Sequence, residues 1–201
     1  MNESARRIPS EGSGDEEALV RSAQAGDSRA FAELVRLYRR SIYRICYGIT
    51  RSHEDADDLA QETFLRAHQA LSRFRTGEPL MPWLARIAIN QAYSLHRRRR
   101  RRPETALEPL VEAGEQWGVA DDPADHAVSA ETRRRVAAAF DRLSVEHRAV
   151  LALRVEHEMS YEDIARTLSI PVGTVMSRLA RARAELAKHL ASGGGKATLH
   201  E

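Results

Sequence analysis

Apolar residues recur at intervals of three and four almost everywhere along this chain, and the period-two alternation of a half-buried strand is absent. Phe31, Leu34, Val35, Tyr38, Ile42, Ile45, Cys46 and Ile49 form one continuous stripe behind Asp27, a residue type suited to capping a helix. Ser52 and Asp55 read as a capping box. The helix they open carries Ala56, Leu59, Ala60, Phe64, Ala67 and Leu71 on one face. Gly77, Pro79 and Pro82 interrupt the pattern and predict a loop over residues 75–82. A further helix over residues 83–102 turns Leu84, Ile87, Ala88 and Leu95 inward. Residues 103–128 have the proline, glycine and acid content of a linker. Periodicity then returns, with Val136, Ala139, Phe140 and Leu143 followed by Val150, Leu151, Leu153 and Val155.

The expected fold is all-α: two small helical domains, residues 15–102 and 129–191, joined by a flexible acidic linker over 103–128. Flexible tails, 1–14 and 192–201, flank them. Charge sharpens this division. Six consecutive arginines, residues 97–102, precede thirty residues (103–132) that hold eight Asp or Glu and no Lys or Arg. The formal net charge of the 201-residue chain is only +2, so charge is sorted along the sequence and each sign implies a partner of its own. Cys46 is the one cysteine, which rules out an internal disulfide and suits a reducing, cytoplasmic setting. It reads as a small buried hydrophobe. No run approaches the roughly 18 apolar residues of a membrane helix, so no membrane insertion is expected.

The segment MSYEDIARTLSIPVGTVMSRLARARAEL, residues 159–186, carries the sharpest motif. Ser160 and Asp163 can cap a short helix with Ile164, Ala165 and Leu168 inward. Ser169, Ile170 and Pro171 make a tight turn, because proline disfavours helix at the preceding residue. A second helix follows with Val175, Leu179, Ala182 and Leu186 inward. This is the pattern of a helix-turn-helix, whose second helix enters the major groove. Thr174, Val175, Met176, Ser177 and Arg178 lie early on that helix, and Arg181 and Arg183 could reach phosphates. The turn position usually given to glycine is Ser169.

Together with EDADDLAQETFLRAHQALSRF, residues 54–74, and PWLARIAINQAYSLHRRRR, residues 82–100, this motif resembles the extracytoplasmic-function (ECF) sigma factors of bacterial RNA polymerase. The resemblance covers roughly residues 15–190. It implies that Asp57, Asp58, Gln61, Glu62 and Arg66 dock on core RNA polymerase, whose beta-prime and beta subunits are the expected partners. It implies that Arg86, Asn90, Gln91, Ser94, Arg97 and Arg98 meet the minus-ten element of promoter DNA. The loop with Phe74, Arg75, Thr76 and Trp83 would hold an unpaired base, although Phe74 and Trp83 could equally be core packing. Thr174 to Arg178, with Arg181 and Arg183, would read the minus-thirty-five element. An anti-sigma factor is a further expected partner.

Energetics fit such a role. Opening DNA costs roughly 1.4 kcal/mol per base-pair step, and stacking or pocketing a base recovers roughly 1–3 kcal/mol. The 26-residue acidic strap spans about 90 Å extended but only about 28 Å as free coil. Promoter elements two helical turns apart lie roughly 70 Å from each other. The resemblance implies that the strap is drawn through the polymerase's basic RNA channel. No nucleophile–base pattern, glycine-rich phosphate loop or metal-ligand spacing among the eight histidines appears, so no enzymatic role, cofactor or small-molecule substrate is expected. Two other readings remain open here: a sigma-like decoy for an anti-sigma factor, and a stand-alone helix-turn-helix regulator.

Overall fold

The computed structural model describes residues 14–101 and 130–192, and every regular element among them is helical. The expected linker, Arg102, Ser129 and almost all of both tails lie outside the described residues. The chain divides into two units, one within residues 1–103 and one within residues 104–201.

The first unit contains α1 (Gly14–Gln24), α2 (Ser28–Thr50), α3 (His53–Ala70), a 3-10 turn (Leu71–Arg73) and α4 (Leu80–Arg101). Asp27 caps α2 as its sequence suggests, accepting the backbone N–H of Arg29 at 2.9 Å. Leu34, Tyr38, Ile42, Ile45, Cys46 and Ile49 are all buried, and Phe31 and Val35 are half-buried at the edge of that stripe. Helices α1, α3 and α4 all pack against α2. Each fully buried aliphatic side chain on such a stripe contributes roughly 1.5–3 kcal/mol. Burial also pushes the Cys46 thiol up to about 12. Helix α1 is an element the periodicity does not predict.

Helix α4 begins at Leu80, three residues before its expected start. Leu80 and Met81 are buried against the core, which draws the chain into helix early. Pro82 tolerates this because the first-turn N–H groups have no intrahelical acceptor to lose. The irregular segment is correspondingly shorter, and Gly77 turns it with φ +92°.

In the second unit, α5 (Ala130–Asp141), α6 (Val145–Leu151), a π-helical turn (Ala152–Glu156), α7 (Tyr161–Leu168) and α8 (Val172–Ser192) follow one another. Helices α5, α6 and α7 all contact α8. Val136 and Val155 belong to the apolar periodicity of this unit, yet both are exposed. The π turn adds a residue to its coil, so the three-to-four periodicity slips and Val155 emerges 66% exposed. On α5, burial reaches Ala139 but fades before Val136. Ser160 caps α7 by accepting the Asp163 N–H at 3.0 Å. Its hydroxyl donates back to the Asp163 carboxylate at 2.6 Å. That hydrogen bond and the Arg166 guanidinium hold the Asp163 carboxyl below its ordinary range, against the opposing effect of partial burial.

Ser169 ends α7 in the left-handed region, with φ 54° and ψ 47°. Its N–H donates to Arg166 O at 3.3 Å, and the Ile170 N–H donates to Ala165 O at 3.0 Å, which closes the helix. An L-residue with a Cβ is strained there by roughly 1 kcal/mol. Ser169→Gly is therefore expected to raise the stability of this unit by up to about 1 kcal/mol after the entropy of the glycine chain is set against the relief. Ser169→Val should lower it by about 1–2 kcal/mol. Amide hydrogen exchange in α7 and α8 reads both; equal protection in the two variants would refute the strain.

Candidate nucleic-acid interface

Helices α3 and α4 are locked together by two polar contacts that cross between them. Near the middle, the Gln91 amide donates to Thr63 Oγ1 at 3.0 Å, and Thr63 Oγ1 donates in turn to the Leu59 carbonyl at 2.6 Å. Thr63 is fully buried, so this chain satisfies polar atoms that would otherwise be costly inside. At the end, Arg99 makes a two-pronged contact with Asp55, Nη1 to Oδ2 at 2.6 Å and Nη2 to Oδ1 at 2.7 Å. The Asp55 side chain is 11% exposed and that of Arg99 is 51% exposed. Half of the expected capping box therefore forms: Ser52 accepts the Asp55 N–H at 3.2 Å, while the Asp55 carboxylate is spent on Arg99.

The outer face of α4 presents Arg86, Asn90, Ser94, Arg97 and Arg98, all exposed. The spacing of three and four residues puts them on one side of the helix. Ser94 Oγ donates to the Asn90 carbonyl at 2.8 Å and accepts from Arg97 at 2.9 Å. Gln91 differs: one residue of helix rotates it by about 100° from Asn90, and it is 8% exposed with its amide held by Thr63. Its side chain therefore packs chiefly between α3 and α4, at the floor of the groove that separates them.

Between α3 and α4 runs a groove of about 650 Å³. Its α3 wall includes Asp58, Gln61, Glu62 and Arg66, and its α4 wall includes Asn90, Ser94 and Arg98. Residues that the family resemblance assigns to two partners thus line one depression. Leu65 sits in it 55% exposed, an apolar side chain with water over much of its surface. Glu62 and Arg66 pair at 2.7 Å along α3. Asp57 stands apart from this groove, on the side of Tyr43 and His53. Burial raises its carboxyl, with His53 opposing and Asp58 adding. The Tyr43 hydroxyl is pushed up to about 12 by burial first and then by Asp57 and Tyr47.

Phe74 is buried, and its ring lies 5.0 Å from that of half-buried Trp83. Arg75 and Thr76 are exposed on the short segment before α4. A cavity of about 40 Å³ beside Phe74 admits water but not a planar heterocycle.

On α8, Val175 is fully buried with Leu179 and Ala182, as its inward spacing predicts, so it packs inside the unit and is not offered to a base edge. Ser177 and Arg181 stand opposite that inner face, both exposed. Thr174 and Arg178, both half-buried, flank one side, and exposed Met176 and Arg183 flank the other. Among the described residues no group of three His, Cys, Asp or Glu is placed to hold a metal ion, and no helix is long and apolar enough to cross a membrane.

A four-helix unit followed by a helix-turn-helix unit, each with a long helix that turns arginines to solvent, defines a two-part, all-helical protein of the helix-turn-helix class. Residues 34–102 match the family described as Sigma-70 region 2, and residues 133–186 match Sigma-70, region 4. The ECF RNA polymerase sigma factor SigW of Bacillus subtilis (strain 168) is 34% identical over 178 residues, 85% of this chain and 94% of the relative. The solved structure of CnrH in complex with the cytosolic domain of CnrY is similar with a TM-score of 0.65 at 26% identity, over 89% of this chain and 98% of that one. The sigma factor RpoE in complex with the anti-sigma factor NepR from Bartonella quintana has a TM-score of 0.63 at 26% identity, over 80% and 96%. The chain belongs to the ECF sigma factors.

The Asp55 pairing divides the arginine run into free and committed members. Arg98→Gln is expected to reduce the log–log salt dependence of duplex DNA binding by about 0.9. Arg99→Gln should leave that slope nearly unchanged while lowering the thermal stability of the first unit. Binding isotherms across a salt series, with a melting curve for each variant, check both; equal loss of slope in the two would refute the division.

Proposed function

We propose that this sigma factor binds core RNA polymerase through the outer face of α3, with Asp57, Asp58, Gln61, Glu62 and Arg66, and directs it to promoters with two DNA-reading helices. Helix α4 takes the upstream part of the minus-ten element, with Arg86, Asn90, Ser94, Arg97 and Arg98 toward the DNA. Helix α8 takes the minus-thirty-five element, with Ser177 and Arg181 central and Thr174, Met176, Arg178 and Arg183 at the flanks. The observation that carries this reading is the exposure of two sets of polar and cationic side chains on helices of two separate units. Two weak contacts made by tethered modules reinforce each other through effective concentration.

The segment after Phe74, with Arg75, Thr76 and Trp83, holds an unpaired base during promoter opening. The pair Phe74 and Trp83 supports this, since the rings meet at a tilt of 50° and half-buried Trp83 keeps part of its surface open to a further ring. Base capture also requires the small cavity beside Phe74 to widen or an outer surface of Trp83 to serve. RNA synthesis itself belongs to the polymerase. The chain acts in the cytoplasm, and an anti-sigma factor regulates it; the similarity to RpoE in its complex with NepR supports that partner.

Core polymerase supplemented with the chain is expected to start transcripts at discrete promoters, and neither component should do so alone. Run-off transcription on a genomic fragment library, followed by mapping of 5′ ends, measures this. A footprint by the chain alone, with no polymerase-dependent starts, would replace the proposal with the stand-alone regulator. Substituting Ser177 or Arg178 should alter preference upstream, whereas Arg98→Gln should weaken initiation at all promoters alike.

A further inference from the structure

The segment between the 3-10 turn and α4 is short and irregular, yet both of its ends are tied to the same helix. At its start, the Gln24 amide at the end of α1 donates to two backbone carbonyls, Leu71 at 2.9 Å and Phe74 at 2.8 Å. At its far end, the Glu16 carboxylate near the start of α1 accepts the backbone N–H of Leu80, the first residue of α4, at 3.3 Å. Glu16 also accepts the hydroxyl of Tyr38 on α2, and it is only 5% exposed. A carboxylate at this point satisfies a first-turn N–H and meets the positive end of the helix dipole. Eight residues separate Glu16 from Gln24, slightly more than two turns, so both emerge from one side of α1. All of α1 precedes residue 34, where the match to Sigma-70 region 2 begins.

We propose that α1 is a two-point staple that preorganises this loop, with Glu16 and Gln24 as positioning residues for the capture of an unpaired base. The inference rests on the base-capture reading above. A loop free at both ends would have to be ordered each time a base is held, and that entropy would be subtracted from the affinity. Stapled at Leu71, Phe74 and Leu80, the loop keeps Arg75 and Thr76 at a fixed offset from Phe74 and Trp83. Fixed offset is what allows a donor or acceptor to distinguish one base edge from another. Affinity and discrimination should therefore fall together when the staple is opened, while polymerase docking on α3 is left alone.

The test uses holoenzyme assembled from core polymerase and the full chain. Wild-type holoenzyme first selects its preferred single strand from a random DNA pool, and that oligonucleotide and its single-base variants are the probes. Gln24→Ala is expected to weaken binding of the selected strand about tenfold, equivalent to about 1.4 kcal/mol. It should also compress the discrimination at the captured position, with unchanged affinity for core polymerase. Glu16→Gln, which keeps an acceptor for the Leu80 N–H, should show the same effect more weakly. Arg21→Ala, on the exposed side of α1 where Arg21 meets Glu17 at 3.5 Å, should behave as wild type. Wild-type discrimination in Gln24→Ala would overturn the staple, and so would an equal loss of core polymerase affinity, which would mark α1 as a general structural support. A wild-type holoenzyme that enriches no sequence at all would instead bring down the base-capture reading, a result distinct from either.

Discussion

The first unit is organised by a single constraint: α2 must hide an apolar stripe more than five helical turns long. One neighbour cannot cover it, and three helices share the work. Leu34, Tyr38, Ile42, Ile45 and Ile49 are each at most 2% exposed as a result. Because α1, α3 and α4 are held by that common surface, their outer faces have defined directions. The groove between α3 and α4 and the stapled loop before α4 both inherit their shape from this arrangement. Loss of packing along α2 would therefore reach every proposed contact of the unit without touching one of them directly.

Polar contacts then refine what burial sets up. Gln91 with Thr63, and Arg99 with Asp55, fix the two helices against sliding, since each bond has a narrow range of length and angle. The second pair also changes how the arginine run is understood. A run of like charges carries a self-repulsion that would favour fraying of the last turns of α4. Placing one carboxylate against Arg99 relieves part of that repulsion at its centre and leaves Arg97, Arg98, Arg100 and Arg101 facing solvent.

Much of this architecture was legible in the sequence, and the exceptions have identifiable causes. The α2 stripe, the caps at Asp27, Ser52 and Ser160, and the helix-turn-helix all follow from short-range pattern, which reports how a helix presents its own faces. What it does not report is a partner far along the chain. Asp55 looks like a capping residue because Arg99, 44 positions away, is invisible to local reading. Gln91 sits beside exposed Asn90 in sequence, although a 100° step per residue carries it toward the interior. Val155 fails for a different reason, because a π turn breaks the period on which its placement depends. Helix α1 is short, with few apolar residues, and its bonds to Leu71, Phe74 and Leu80 could not be inferred before the fold brought those groups together.

The placement of Cys46 bears on how this chain could sense its surroundings. Thiolate is the species that oxidants attack, and the burial that pushes this thiol up to about 12 keeps that species scarce at neutral pH. The sulfur is also sealed beneath the helices that cover α2. Peroxide or a disulfide reagent could reach it only after the first unit had come apart. A stimulus that acts on thiols would thus have to be registered elsewhere and passed to this chain as a gain or loss of binding.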